Sequence, residues 1–335
     1  MAEATIRDVA SRAEVSVASV SRALNGIGYI RPQTRDRIMA AVAELGYVPH
    51  AGARSLSLAR AHAIGVVLPD LHGEFFSECV RGMDREANRR GYMLLLSNMH
   101  DDGEQTALAM RAMRGRVDGL VVMAPHIEHD ALARTLPAAI PSVLMNCPGD
   151  FEAHTTIRLD NRVSAAAMVD HLVANGYRHI VHVAGPEGNV DARERAEGFR
   201  DAMLKHGREP RIIVGDFNEE TGEAAAAEIL AGTAPCDAVF AANDMMALGC
   251  LHALRTAGKR VPEDIAVAGF DDVPMARYLA LTTMRVRLAE LGERAVALLV
   301  ERIENKPPHL ANEVLIPELV ARATTMPRAA RPGTA

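Results

Sequence analysis

The chain has 335 residues, too many for one ordinary core and enough for two or three domains. Hydrophobic residues make up 49% and aromatics only 4%, with no Trp, which excludes general disorder and leaves Ala, Val, Leu, Ile and Met to build the core. The formal charge of −6 is uneven: residues 1–60 carry eight Arg against five acids, whereas the remainder carries 29 basic and 38 acidic residues, so a basic N-terminal module precedes an acidic body.

The first predicted helix starts at Thr5-Ile6-Arg7-Asp8, which reads as a capping box, with Ile6, Val9, Ala10 and Ala13 on one face. Glu14-Val15 makes a turn, and Ser16 caps a second helix, Val17 to Asn25, in which Val20, Ala23 and Leu24 point inward. Pro32 suits the first position of a third helix and Gly46 suits its end, with Ile38, Ala41, Val42 and Leu45 at helical spacing between them. Two short helices split by a tight turn form a helix-turn-helix, whose second helix can enter the major groove. Its outward residues are Val17, Ala18, Ser21 and Arg22. Arg22 can bond guanine O6/N7 bidentately, and Val17 and Ala18 offer apolar surface for a thymine methyl. Ser16, Ser21, Asn25 and Thr34 can hold phosphates, and Thr5 is grouped with these DNA-contacting candidates. The pattern alone also admits a small three-helix bundle that binds protein.

The run TIRDVASRAEVSVASVSRALNG, followed by RPQTRDRIMAAVAELGYVPHAGARSL, strongly resembles the lactose-repressor (LacI/GalR) family of transcription regulators. Two positions depart from its pattern: Glu14 stands where a small or turn-forming residue is usual, and His50 where Asn is common. The resemblance implies that Pro49 to Ser57 is a hinge that becomes helical only on operator DNA. Leu56 would then wedge into the central base step, with Ala53 and Arg54 beside it. Gly52 and the shortness of the segment agree with a helix that is marginal alone, and an apolar wedge kinks DNA.

From Ala63 the pattern becomes apolar strands alternating with amphipathic helices. Strands are expected at Ala63–Leu68, Met93–Ser97, Gly119–Met123, Ser142–Met145, Ile180–Val183, Ala238–Ala241 and Ile265–Gly269, with a last strand-like segment at Val314–Val320. Helices are expected at Phe76–Arg90, Val163–Asn175, Ala192–His206 and Met245–Ala257. This alternation means parallel sheets covered by helices. There are too many strands for one small sheet, so two doubly wound lobes with a cleft between them are expected, with ligands at the carboxyl ends of the strands. Segments such as IGVVLPD, HLVANGYRHIVHVAGP, FAANDMMALG and VPEDIAVAGFDD extend the resemblance over nearly the whole chain.

The resemblance implies an all-α head on an α/β sensor like periplasmic sugar-binding proteins, with three crossings between lobes near Asp160, Arg285 and Pro317. The expected division is 1–48 for the head, 49–60 for the hinge, 61–327 for the two-lobed sensor and 328–335 for a tail. One lobe comprises about 61–159 and 286–316, the other about 160–285 and 317–327. Carried over by position, the ligand cleft holds Phe75, Phe76, Asp191, Arg195, Phe217, Asn243 and Asp271, with His72, His126 and Asn146 as weaker candidates. Aromatic faces with bidentate polar groups suit a sugar or nucleoside. Capping or core packing is the alternative role for Asn243, Asp271 and the Phe residues.

The four cysteines form no CxxC pair and read as reduced thiols in a cytoplasmic, nucleoid-associated protein. No apolar run approaches a membrane span, and the N-terminus lacks the apolar core of a signal peptide. The chain lacks GxSxG, GxxxxGK, a GxGxxG after a strand and HExxH, so an enzyme is not expected. His126 and His129 could share a helix face, but no further metal ligand accompanies them. A secreted sugar-binding protein would need an export signal and no head. A DNA-binding protein without a ligand would not need the two-lobed body. The expected assembly is a homodimer on near-palindromic double-stranded operator DNA, switched by a small-molecule effector, with no cofactor and no membrane partner.

Overall fold

The computed structural model describes residues 4–25, 28–48, 60–99, 103–151, 153–232, 234–304 and 312–327. The chain divides into two units, Met1–His62 with Gly115–Asp118, and the remainder.

In the first unit Thr5 opens helix α1 (Ile6–Arg12) with a reciprocal cap. Its hydroxyl accepts from Asp8 N at 3.4 Å, and the Asp8 carboxylate accepts from Thr5 N at 2.8 Å. The Thr5 hydroxyl, donating to Asp8 Oδ2 at 2.7 Å, and then the Thr5 N–H hold the Asp8 carboxyl below its usual range. Ser16 starts α2 (Val17–Asn25), its Oγ accepting from Ser19 N at 3.2 Å. Pro32 takes the first position of α3 (Pro32–Leu45), and Gly46, at φ 59°, ends it. The three helices enclose Val9, Ala10, Ala13, Val20, Ala23, Ile38 and Ala41. Glu14 occupies the turn at φ 51°, a left-handed conformation that a side chain adopts at a cost. The turn still closes, with Val15 N donating to Ala10 O at 3.0 Å.

The second unit alternates strands and helices. The chain runs β1 (Ala63–Leu68), α4 (Gly73–Arg89), β2 (Met93–Asn98), α5 (Gly103–Met113), β3 (Gly119–Met123), α6 (His129–Thr135), β4 (Ser142–Met145) and β5 (Thr155–Leu159). It continues through α7 (Asn161–Ala174), β6 (Ile180–Val183), α8 (Val190–Lys205), β7 (Arg211–Ile213), α9 (Glu219–Leu230), β8 (Ala238–Ala241), α10 (Asp244–Thr256) and β9 (Ala266–Ala268). Then come α11 (Pro274–Tyr278), β10 (Thr283–Arg285), α12 (Leu288–Ile303), β11 (Asn312–Leu315) and β12 (Glu318–Val320).

The strands form a parallel sheet ordered β11-β5-β4-β3-β1-β2, a second parallel sheet ordered β7-β6-β8-β9, and an antiparallel β10–β12 pair. The chain leaves the first sheet after β5, returns after β10 to place α12 against α4, and leaves again between β11 and β12. Central strands such as β1 are buried on both faces, which is why they read as unbroken apolar runs. Although aromatics are few, Tyr177, Phe199, Phe240 and Phe270 are among the largest fully buried side chains.

Three expectations are corrected. Val314–Val320 is not one strand: Leu315 ends β11 on the first sheet, and Glu318 starts β12 beside β10. Pro317, which has no N–H to give a ladder, stands at the break. Strands β5, β7 and β10 were not expected, being only five, three and three residues long and carrying Arg or Thr. His126 and His129 do not share a helix, because His126 lies in the turn before α6.

Candidate functional site

On α2 the outward candidates stand clear of the head's core. Ser16, Val17, Ala18 and Arg22 are exposed, as is Thr5 at the start of α1, while Ser21, Asn25 and Thr34 are half-buried. Arg22 makes one long bond, from Nε to Ala18 O at 3.3 Å, which lays the side chain along the helix. Asn25 Nδ2 donates to Ser21 Oγ at 3.3 Å. Ala53, Arg54 and Leu56 lie outside the described residues.

In the second unit a cavity of about 280 Å³ opens at the carboxyl ends of both parallel sheets. That is where a doubly wound sheet leaves room for a ligand. The first lobe contributes the turn after β1, with His72, and the first residues of α4, Phe75 and Phe76, whose rings meet edge to face at 5.1 Å. The second contributes Asp191 and Arg195 from α8, Phe217 after β7, Asn243 after β8 and Asp271 after β9. All seven expected cleft residues therefore line one cavity. His126 and Asn146 are not among its lining residues.

Arg195 is 3% exposed and firmly held. Its Nε donates to Asn161 Oδ1 at 2.8 Å and its Nη1 to Ala242 O at 2.5 Å. Its guanidinium carbon lies 3.8 Å from the Phe270 ring centre and 5.9 Å from that of Phe217. Asp271 is also 3% exposed; its Oδ1 lies 3.9 Å from Arg195 Nη1, beyond hydrogen-bond reach, and that oxygen has no hydrogen bond. Burial pushes its carboxyl up to about 7; Arg195 opposes that shift and Asp191 adds to it. Behind it Asp244 accepts from Thr283 Oγ1 at 2.7 Å and Val273 N at 2.9 Å, yet burial and Asp271 still raise it. Asp191 is raised by burial too, while Arg195 and Asn161 pull it back.

Asn243 faces the cavity but is partly committed: its oxygen accepts from Met246 N to cap α10, and its amide donates to Phe217 O at 2.8 Å. Several loop ends around the cleft are strained, with positive φ at Asn146 (48°), Phe217 (73°) and Asp271 (114°).

Sequence reasoning missed Asn161 and the bonds that join the lobes, and named Asn146 and His72 only as weaker candidates. Asn161, 1% exposed at the start of α7, donates to Asp191 Oδ1 at 2.8 Å while accepting from Arg195, so one amide aligns two cleft residues. Asn146 is buried, 3% exposed, after β4. Across the cleft mouth His72 Nε2 meets Glu219 Oε2 at 3.1 Å, which raises the His72 pKa, and Met275 N donates to Glu74 Oε2 at 2.9 Å. Deeper in, Val190 N donates to Pro125 O at 2.8 Å. Each of these bonds joins one lobe to the other. Only Asn161 had a signal, the Asp160-Asn161 pair opening a helix after a strand, and that strand, β5, had not been recognised.

Residues 5–50 match the lacI family of bacterial regulatory proteins, and residues 169–325 match a periplasmic binding protein-like domain. The ribose operon repressor of Halalkalibacterium halodurans is 32% identical over 96% of this chain and 97% of its own length. The HTH-type transcriptional repressor PurR of Erwinia tasmaniensis is 36% identical over 95% of this chain and 96% of its own. Among solved structures, the lac repressor dimer bound to operator and the anti-inducer ONPF superposes with a TM-score of 0.87 at 28% identity, covering 97% of this chain and 100% of that one. No helix among the described residues is long and apolar enough to cross a membrane. With its helix-turn-helix head, its two parallel-sheet lobes and relatives matched end to end, the chain belongs to the lacI family of bacterial regulatory proteins and is a ligand-responsive, DNA-binding transcription regulator.

Proposed function

We propose that the protein is a homodimeric repressor whose heads bind a near-palindromic operator and whose DNA affinity is switched by a sugar-like or nucleoside-like ligand in the cleft. The observation that carries this reading is the convergence of Phe75 and Phe76 from one lobe with Asp191, Arg195, Phe217, Asn243 and Asp271 from the other on a single cavity. Aromatic faces beside buried polar groups suit a compact ligand with both apolar faces and hydroxyls or ring nitrogens. A ligand shifts an equilibrium only through different affinities for two arrangements, and one that touches both lobes senses how they are disposed. Exposed Val17, Ala18 and Arg22 are the base-reading candidates, Ser16, Ser21, Asn25, Thr34 and Thr5 the backbone-positioning ones, and Ala53, Arg54 and Leu56 the minor-groove set.

The reading assigns no catalytic step, in keeping with the matched relatives, which are repressors. A dimer is supported by the likeness to the dimeric lac repressor and by exposed apolar surface at Met93 and Leu96 on the edge strand β2 and at Tyr278. Its place is the cytoplasm, on the nucleoid. Retardation of promoter fragments by the purified protein tests the whole reading. The expected result is a sequence-specific complex weakened or strengthened by a member of a sugar and nucleoside panel. Equal retardation of random DNA, unaffected by the panel, refutes it.

A further inference from the structure

His72 ends the turn after β1 and stands at the N-cap of α4, where its side chain makes no capping bond. A Ser, Thr, Asp or Asn there would satisfy a free N–H of the helix. The imidazole instead reaches over the cleft mouth, with Nε2 3.1 Å from Oε2 of Glu219, the first residue of α9 and 147 positions away. Of the three bonds described across the cleft, this one contains a histidine, whose charge changes near neutral pH. The Val190–Pro125 bond is backbone alone, and Glu74 meets the Met275 N–H.

Charge around the ring is one-sided. Glu219 and Glu220 face it from α9, Asp70 from its own turn, and Asp216 lines the same cavity from the loop before α9. Glu74 follows two residues on in α4. Arg195, the only permanent cation among the described lining residues, is buried against Asn161 and Ala242 O. The amino end of α4 by itself disfavours a cation, so the acids decide the sign. The Glu219 hydrogen bond, with the charges of Glu219, Asp70 and Glu220 behind it, raises the pKa of the ring above its ordinary 6.5, burial opposing.

We propose that His72 and Glu219 form a proton-operated latch across the cleft mouth, which favours the closed arrangement of the lobes in acid and releases it as the pH rises. The proposal rests on the ligand-cleft reading above and adds the proton to it as a second effector. The ring holds its proton more tightly when Glu219 faces it than when the lobes stand apart, so by linkage protonation draws the lobes together. The gain is complete below pH 6.5 and is lost as pH rises through the higher pKa of the closed arrangement. The His72 side chain is 56% exposed and that of Glu219 28%, so the latch is weak and screened by salt, and shifts closure a few-fold rather than a hundred-fold. A ligand that binds the closed cleft therefore binds a few-fold more tightly in acid.

Amide hydrogen exchange on the full-length protein, without ligand or DNA, tests this. Val190 is the first residue of α8, so its N–H has no partner within the helix and is protected by Pro125 O of the other lobe. Its protection, corrected for the intrinsic exchange rate, therefore reports closure. At low salt the fall in Val190 protection from pH 6 to pH 8 should be about two- to five-fold larger in the parent protein than in Glu219→Gln or His72→Gln, and the excess should vanish in 1 M salt. Asp191, Asp244 and Asp271 are also raised by burial, but all three are present in each protein, so the comparison isolates the latch. Equal falls in parent and variants, or an excess that survives high salt, overturn the proposal. Neither result touches the function reading, which stands or falls on operator retardation.

Discussion

Two arginines divide the labour of the molecule, and their environments show how. Arg22 is exposed on α2 with one long bond within its own helix, so most of its donors face outward. Arg22→Ala should weaken binding to the cognate operator by about 1–3 kcal/mol and binding to random DNA by much less, because a bidentate guanine contact carries discrimination whereas one charge among several carries little. Competition binding against both DNAs checks this, and equal losses on both would reduce Arg22 to a phosphate contact. Arg195 is buried and committed to Asn161, Ala242 and Phe270. Its removal leaves acceptors and the Asp271 carboxyl without their cation, so Arg195→Ala should cost the sensor on the order of 3 kcal/mol. It should also abolish the ligand response, with operator binding retained well below the new melting point. Arg195→Lys should restore part of the stability but not the response, since an ammonium cannot reach Asn161 and Ala242 in one plane. Denaturation together with retardation assays separates the two effects.

At the scale of elements, both lobes bring helices together by removing side chains. A Cβ on Gly82 of α4 would meet the Ala289 carbonyl of α12, and one on Gly292 would meet that of Cys79. In the other lobe Gly222 and Gly249 allow α9 and α10 the same approach. Gly82→Ala should therefore destabilise by about 2–3 kcal/mol, since backbone has to move. Gly91→Ala should cost only about 1–2 kcal/mol, because φ 77° strains the residue but nothing lies within 4 Å of the added methyl. Urea denaturation of the pair checks the ordering. Gly82→Ala should also weaken ligand binding, since α4 carries Phe75 and Phe76 into the cleft.

The same elements show what a sequence reveals. The head was readable helix by helix, because caps, Pro32 and Gly46 act within a few residues. Strands buried on both faces, such as β1 and β3, announced themselves as apolar runs. β5, β7 and β10 did not, because pairing in a sheet made them strands rather than local preference. The seven cleft residues came from resemblance, not from spacing. Asn161 reaches Arg195 across 34 positions and Glu74 reaches Met275 N across 201, and no periodicity signals contacts of that kind.

For the whole molecule, two buried groups set opposing pH slopes. His182 is fully buried, with ring centres 5.0 Å from Phe199 and 4.9 Å from Phe240, and Nδ1 donates to Phe240 O at 2.8 Å. Burial pushes its pKa down from 6.5 to about 4, the Phe240 carbonyl opposing and Arg195 and Arg200 assisting. The unfolded chain thus binds the extra proton between those values. The stability from neutral His182 is complete above about pH 6.5 and lost as pH falls towards 4, by roughly 3 kcal/mol at the limit. Asp271, raised from 3.8 to about 7, works the other way: the folded chain keeps the proton, and stability is lost as pH rises through that window. The two slopes offset between about pH 4 and 6.5. Removing either should expose the other. Relative to the parent protein, His182→Phe should make stability fall more steeply as pH rises across this range, and Asp271→Asn should make it rise. Differences in unfolding free energy against pH isolate the His182 slope, because Asp191, Asp244 and Glu194 titrate in both proteins; in Asp271→Asn the Asp244 carboxyl, which Asp271 helps to raise, relaxes as well and adds to the change in the same direction. A ligand donor bound to Asp271 favours its charged form and lowers its pKa. Saturating ligand should therefore shift the parent protein's pH profile towards that of Asp271→Asn, and a profile unchanged by a bound ligand would place the ligand's donors elsewhere in the cleft.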